Sequence, residues 1–572
     1  MPRHLSTDTS WSEIKATGSK RPAIRLLLSL MHSSRWTLII ATVSCVINGV
    51  SSVSLVTLIN GSLNASGDEH VSLAWRFGLL ALLALISRVF GGVVFAKLSQ
   101  GTMAKMREHI STRVACAPFR QIEILGTSRA QSIITEDATN VSLLFFALPN
   151  IVMQGSIVLG CLAYLAWLSW AVFFLALVVV FIGSLGYALG GGQALASLEA
   201  AGKAQDRLFT HFNALFSGAK ELKLHLARAH TFLNSILGNE INAVRQHRTR
   251  AYGAYAFGVG WILFLFYVFL GVVVFAPAAL PGLEPTVLAG YVIVFLFMLV
   301  PLDSLLNNLP ILNTARVSLN RIEQVLIKLN EQEHMEQPVA INQFGEVSSL
   351  RLSALTHSYY REKEDGVFQL GPIDMELKRG EITFLIGGNG SGKTTLAKLL
   401  VGLYTPESGT ISLDGHVVSD DHCADYRQLF SAVFSDFHLF ETLVGMDNTD
   451  SALDARANRL IAKLHLEHKV KVENGRFSTR DLSQGQRKRL ALVVAYLEDR
   501  PFYLFDEWAA DQDPQFKAVF YRELLPELAA SGKAVLVITH DDSFFHLADH
   551  CLKLENGKLF VHGTSAALIT LG

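Results

Sequence analysis

The sequence predicts a membrane domain of six transmembrane α-helices fused to an α/β phosphate-loop domain. Six apolar runs follow one another before residue 310, each near the roughly 20 residues a helix needs to cross hydrocarbon. Further on, Gly387-Gly388-Asn389-Gly390-Ser391-Gly392-Lys393-Thr394 matches G-x-x-x-x-G-K-[ST]. That motif stands between the apolar run Ile382 to Ile386 and the helical run Thr395 to Leu400, the strand-loop-helix setting in which such a loop cradles phosphate. Composition agrees: 50% of residues are hydrophobic and only 17% charged, with the apolar excess in the first half.

The spans are read at residues 36–59, 73–98, 143–167, 169–189, 254–276 and 286–309. Six such runs in succession are not the pattern of buried helices in a soluble protein. Basic residues decide the orientation. They cluster in the N-terminus (Arg3 to Arg35), in the second-to-third connection (Lys105, Arg107, Arg113, Arg120, Arg129) and in the fourth-to-fifth (Lys203 to Arg250). The opposite connections, 60–72, Leu168 and 277–285, carry no Lys or Arg. Both termini are therefore expected in the cytoplasm. The transmembrane domain is expected over 1–325, a polar linker over 326–347 and the nucleotide-binding domain over 348–572. Residues 22–32 could form an amphipathic elbow at the interface. Residues 1–20 lack the apolar core of a signal peptide.

The phosphate loop implies ATP and Mg²⁺. Its glycines let backbone N–H groups close around phosphate oxygens, Lys393 meets the β/γ-phosphates and Thr394 reaches Mg²⁺. The following helix, beginning with Thr395, presents its positive dipole end. The run Phe502 to Phe505 reads as a buried strand ending in Asp506 and Glu507. Asp506 would hold Mg²⁺, and Glu507 would orient or deprotonate the attacking water, because phosphoryl transfer needs a positioned nucleophile and neutralised oxygens. Alone, such a pair is often an exposed turn; the ordered company points to catalysis.

Leu482-Ser483-Gln484-Gly485-Gln486 resembles the ATP-binding-cassette signature. A helix opening at Ser483 offers a hydroxyl and free N–H groups to an anion. The resemblance implies that this anion is the γ-phosphate on the other subunit's phosphate loop, so hydrolysis requires a dimer. With one phosphate loop and one signature, the chain resembles a half-transporter that pairs with itself. Membrane part first, one fused chain and two long basic connections with irregular middles near 126–129 and 217–221 resemble the exporter type, whose helices end in short coupling helices. The resemblance is closest to bacterial exporters of cyclic peptides and peptide siderophores, of the pyoverdine and syringomycin type. It is carried by Leu482 to Leu490, Phe505 to Pro514 and Ile538 to Asp542. It implies that Asp513 ends the D-loop, that His540 is the switch histidine at the γ-phosphate, and that Tyr359 stacks on adenine, with Tyr360 as the rival. The implied protein is a homodimeric exporter of the bacterial inner membrane, in contact with lipids and a peptide-type cargo. A lipid flippase or an ATP-gated channel would share the architecture.

Two departures from the family stand out. Where a glutamine normally follows the strand read at Ala432 to Phe434, this chain has Ser435 and Asp436. The Ser435 hydroxyl or the Asp436 carboxylate could serve the metal, but neither reproduces an amide's donor and acceptor pair. The segment Glu473 to Asp481 also lacks the usual exporter pattern. Polar groups inside the spans are candidates for the cargo path: Asn48, Arg88, Asp303, Asn307 and Asn308. Arg88 and Asp303 could instead pair with each other. Pro301 and Pro310 are expected to bend the sixth helix. Charge is balanced, 49 basic against 50 acidic residues, so nothing points to nucleic acid. The five cysteines lack metal spacing and read as free thiols.

Overall fold

The structure is a computed structural model; it describes residues 35–62, 69–275, 285–329, 347–361, 366–419, 422–446 and 451–564. The expected elbow at 22–32 and most of the expected linker lie outside the described residues. The chain divides into two compact units, one of residues 1–117 and 121–333, the other of 118–120 and 334–572.

The first unit is helical. Its long elements are α1 (Arg35–Ser62), α2 (Glu69–Ala115), α3 (Ala138–Leu168), α4 (Trp170–Ser217), α5 (Gly238–Phe275) and α6 (Pro285–Lys328). Six helical stretches are long and apolar enough to cross a membrane. Their outward faces are greasy, with Leu79 70% and Phe181 69% exposed, as expected where lipid rather than water is the solvent. At 47 residues α2 is about 70 Å long, more than twice the hydrocarbon thickness, so it continues beyond the bilayer. The irregular middles expected in the two basic connections are present. Gly126 adopts φ 73° between the short helices Phe119–Leu125 and Thr127–Ser132. Gly218 caps α4 before Ala219–Leu224 and Leu226–Thr231. Helix α6 is continuous through Pro301 and Pro310.

Close approach needs small residues and paired charge. A Cβ at Gly160 would crowd Val53, and one at Gly258 would crowd the Tyr187 ring. Arg321 on α6 reaches Asp206 on α4 and, at 3.5 Å, the buried Asp137 just before α3. Those contacts join three helices through one guanidinium fork.

The second unit is α/β. Strands β1 (Ser349–Arg361), β2 (Gly366–Lys378), β4 (Ser408–Leu413) and β5 (His416–Val417) form an antiparallel sheet in the order β2-β1-β4-β5. The main sheet contains β3 (Ile382–Ile386), β6 (Phe430–Val433), β7 (Phe502–Asp506), β8 (Ala534–Ile538), β9 (His550–Glu555) and β10 (Lys558–Thr564), in the order β10-β9-β3-β8-β7-β6. All its pairings are parallel except β9 with β10. Helix α7 (Lys393–Leu400) follows β3, and α8 (Ser451–Lys463) and α9 (Gln484–Glu498) precede β7. The central strands are buried throughout, which explains their unbroken apolar sequences. Alternation still sorts them: Phe384, Phe505 and Val537 pack on one side with α9, whereas Leu385, Leu504 and Leu536 pack on the other with α7.

Candidate nucleotide site

Parallel register brings three distant segments to one edge. Ile538 lies beside Asp506 and Leu385 in neighbouring strands. The phosphate loop after β3, the carboxylates at the end of β7 and His540 after β8 therefore converge where the strands' carboxyl ends open, the usual ligand edge of such a sheet.

The phosphate loop is built on glycine conformations. Gly387, Gly390 and Gly392 adopt φ of 152°, 77° and 103°, and a Cβ at Gly387 would run into the Leu554 carbonyl oxygen. Lys393 is buried, and its Nζ donates to the carbonyls of Gly387 at 2.9 Å and Gly388 at 3.2 Å. Burial lowers its pKa, against the opposing pull of Glu507 and Asp506. A phosphate anion would compensate that buried charge. Gly388, Asn389 and Gly390 form the exposed lip of the loop, while Gly387 is half-buried and Ser391 buried.

Thr394 Oγ1 donates to Asp506 Oδ2 at 3.1 Å. Asp506 Oδ1 is buried without a hydrogen-bond partner, and burial pushes this carboxyl above its usual range. One hydroxyl and one orphaned carboxylate oxygen, beside a phosphate loop, are the hard-oxygen donor set that a hexacoordinate Mg²⁺ shares with phosphates. The residues present fit the ion. Among the described residues there is no cluster of three or more His, Cys, Asp and Glu that could hold a metal without a nucleotide. Ser435 and Asp436 follow β6 and are exposed; Asp436 acts on Asp506 only as a like charge raising its pKa.

Glu507 adopts φ 51°, in the left-handed region, where a non-glycine residue persists only when its surroundings hold it. Its Oε1 lies 3.2 Å from His540 Nε2 and 3.9 Å from Lys393 Nζ. This half-exposed carboxylate faces the site with basic groups on two sides, as a group that must orient water and meet a phosphate requires.

Ser483 is the N-cap of α9 in a capping box. Its Oγ accepts from the Gln486 N–H at 3.4 Å, and the Gln486 side chain accepts from the Ser483 N–H at 3.1 Å. Ser483 and Gln484 are exposed, Gly485 and Gln486 half-buried. The Ser483 hydroxyl keeps its hydrogen to donate outward. Asp513 caps the helix Pro514–Val519 by accepting from Phe516 N–H at 2.9 Å, and Arg489 Nη2 holds its other oxygen at 2.6 Å. The Phe516 bond and Arg489 keep the Asp513 carboxyl below its usual pKa. Tyr359 pairs with Phe368 through the β1 and β2 backbones; the side chains of Tyr359 and Tyr360 lie outside the described residues. Sequence reading missed Lys488 and Arg489. The visible signal was a lysine in register with Ala491, Leu492 and Ala495, on the apolar stripe of α9.

In the membrane unit, Asn48 sits on α1 against α2. It is buried and donates to the Ala84 carbonyl at 2.6 Å, so it pins α1 to α2 where a backbone acceptor was available. Arg88 lines a cavity of about 250 Å³ with Cys45, Phe146, Asn150 and Met153. Among the described residues, no ion pair joins it to Asp303. Asn307 lines a second cavity, about 320 Å³, with Asn140, Tyr252, Tyr255 and Thr314. Asn308 donates to Ser304 in its own helix.

Comparison with known proteins decides the family. The chain is 35% identical over 559 residues, 95% of its own length and 97% of the relative's, to ATP-binding protein SyrD of Pseudomonas syringae pv. syringae. The ABC transporter family profile matches residues 370–510. The chain belongs to the ABC transporter family, as a half-transporter of exporter architecture. An ATP-dependent lipid A-core flippase of Aliivibrio fischeri is 25% identical over 93% of this half-transporter and 92% of its own chain. A solved bacterial Atm1-family ABC exporter with ATP bound shares the fold at a TM-score of 0.75 and 16% identity, covering 94% and 96% of the two chains. This half-transporter is thus a multi-pass membrane protein that binds ATP and couples its hydrolysis to transport.

Proposed function

We propose that the protein is a homodimeric exporter of the bacterial inner membrane, with both termini cytoplasmic, whose cargo is a cyclic peptide, lipopeptide or peptide siderophore. The observation that carries the active pump is Glu507 Oε1 held between His540 and Lys393, an arrangement suited to turnover rather than to binding alone. In this reading the glycines of the loop and Lys393 bind the β/γ-phosphates, Thr395 and the first turn of α7 extend that cradle, Tyr359 stacks on adenine, and Ser483 to Gln486 close over the partner's nucleotide with Asp513 at the interface. Thr394 and Asp506 would hold Mg²⁺, with Ser435 as a further donor; the ion would supply neutralisation of phosphate charge. Glu507 then orients the attacking water and takes its proton, while His540 donates toward the γ-phosphate. Closure of two cassettes turns the membrane cavity outward, and hydrolysis resets it.

The 35% identity to SyrD and the sequence resemblance to peptide exporters support the cargo class. Arg88, Asp303 and Asn307 are proposed along the path. A cation and an amide in one cavity, and amides and hydroxyls in the other, each among apolar side chains, suit an amphiphile with a carboxylate and peptide groups. An acidic lipid meets part of that description, and the flippase relatives make it the competing reading. Inside-out vesicles decide between them. ATP-dependent accumulation of a cyclic lipopeptide against a gradient is the expected result; ATP-dependent lipid translocation without peptide uptake would replace peptide by lipid, and ATP-gated ion flow without either would overturn the pump.

A further inference from the structure

Lys488 is a buried cation for which the hydrolytic scheme above has no use. Its side chain is 3% exposed, and its Nζ lies 2.7 Å from Asp511 Oδ2 and donates to the Glu507 carbonyl oxygen at 2.9 Å. Its own backbone carbonyl accepts from the Trp508 indole Nε1 at 2.9 Å. Lys488 therefore grips residues 507 and 508 from both of its ends. Trp508 is 1% exposed and stacks on Phe520 at 4.3 Å, so the grip is anchored in the core. A second strap runs beside it: Arg489 Nε donates to Gln512 Oε1 at 2.9 Å, and Gln512 Nε2 donates to the Gly485 carbonyl at 3.0 Å.

These contacts answer a need stated above. Glu507 sits in the left-handed region, and strained backbone at a working site persists only where neighbours over-determine it. The Glu507 N–H is held by the Ile538 carbonyl at 3.0 Å; its carbonyl is held by Lys488. A buried ammonium cannot leave its acceptors without a large desolvation cost, so the hold is firm.

We propose that Lys488 is a positioning residue for hydrolysis: with Asp511 it locks the segment bearing Glu507 to the signature helix α9. If the homodimer reading holds, that helix serves one nucleotide while Glu507 serves the other, so Lys488 also links the two sites. The linkage rests on that reading; the positioning role does not.

The test uses the full-length transporter in lipid nanodiscs, comparing wild type with Lys488→Met and Asp511→Asn. The measurements are kcat for ATP hydrolysis, the Hill coefficient, Kd for a nonhydrolysable ATP analogue, and Tm. Misplacing a reacting group by about 1 Å costs on the order of 100-fold in rate. Lys488→Met is expected to lose at least about tenfold in kcat with analogue affinity within about threefold, and to lose cooperativity. Asp511→Asn, at a half-exposed residue, should lose about threefold in kcat at unchanged Tm. A folded Lys488→Met or Asp511→Asn that keeps kcat within about twofold of wild type overturns the positioning role, as does a parallel collapse of analogue binding and kcat. If Lys488→Met does not fold, Asp511→Asn decides by the same criteria. A wild type that hydrolyses ATP as a non-cooperative monomer, with Lys488→Met still losing kcat, removes the dimer and leaves the positioning intact.

Discussion

His540 Nε2 lies 3.2 Å from Glu507 Oε1, a contact between the loops that follow two adjacent parallel strands. The register of β7 with β8 brings the two loops together, since Asp506 and Ile538 are paired neighbours. The pairing leaves Glu507 ready to accept a proton from water while its imidazole neighbour stays free to turn toward phosphate. Glu507→Gln keeps the shape and removes the base. It is expected to bind ATP with near wild-type affinity and to lose roughly 100-fold or more in phosphate release. Phosphate release at the wild-type rate would remove Glu507 from the role of base.

Ser483 and Gln484 are exposed at the start of α9, with a capping box that fixes the hydroxyl at the helix end. In the homodimer proposed above, an N-terminus so presented would meet the partner's phosphate. Mixing wild-type chains with Ser483→Arg should give heterodimers in which one of two sites is damaged, and ATPase activity should fall with the mixing ratio more steeply than the wild-type fraction if the sites are coupled. Hydrolysis undiminished by dilution to monomers would count against a shared site.

Much of this was legible because the chemistry is local. The six spans, the phosphate loop and the buried strand ending at Asp506 announce themselves by apolar length and by spacing, and each became an element with a role in the sheet or the bundle. Contacts between distant segments carry no such period. Nothing in the order of residues tells that Lys488 meets Asp511, that Asn48 bonds the Ala84 carbonyl, or that Glu507 takes a left-handed backbone, because these are set by which elements pack together. Arg88 and Asp303 show the same limit: opposite charges in apolar spans suggest a pair, but whether they meet depends on helix rotation.

Gly387 tests the phosphate loop as architecture. Its φ of 152° and the Leu554 carbonyl leave no room for a side chain. Gly387→Ala is expected to cost about 1–3 kcal/mol of stability from strain, whereas Gly388→Ala, with open space around it, should change stability far less. Thermal unfolding of the two variants in the absence of nucleotide is the comparison. Equal Tm values would mean that the loop rearranges freely.

His357 gives the cassette a pH dependence. The ring is 1% exposed on β1 and stacks on Tyr404 at 5.3 Å; burial holds it below its ordinary value of 6.5. Between the lowered folded value and 6.5 the unfolded chain binds more protons than the folded one, so stability rises with pH across that window and is lost on acidification. Tm should therefore fall between pH 7 and pH 5.5, and His357→Phe should flatten that part of the profile. An unchanged slope in His357→Phe would assign the acid sensitivity elsewhere.

Arg88 separates the cargo site from the motor. A cation at the centre of a membrane helix costs about 2.5–3.5 kcal/mol on insertion scales, and Arg88 lines a cavity of about 250 Å³ instead of pairing with Asp303. A ligand shifts a conformational equilibrium only through contacts that differ between states, so removing such a contact should act on the cargo-dependent part of turnover. Arg88→Ala, in inside-out vesicles, is expected to lower ATP-dependent peptide accumulation and cargo-stimulated hydrolysis by more than it lowers basal hydrolysis, with Arg88→Lys recovering part of the loss. Transport intact in Arg88→Ala would leave the pump standing and remove this residue from the path. Loss of basal and stimulated hydrolysis in equal proportion would instead make Arg88 a support of the helix bundle.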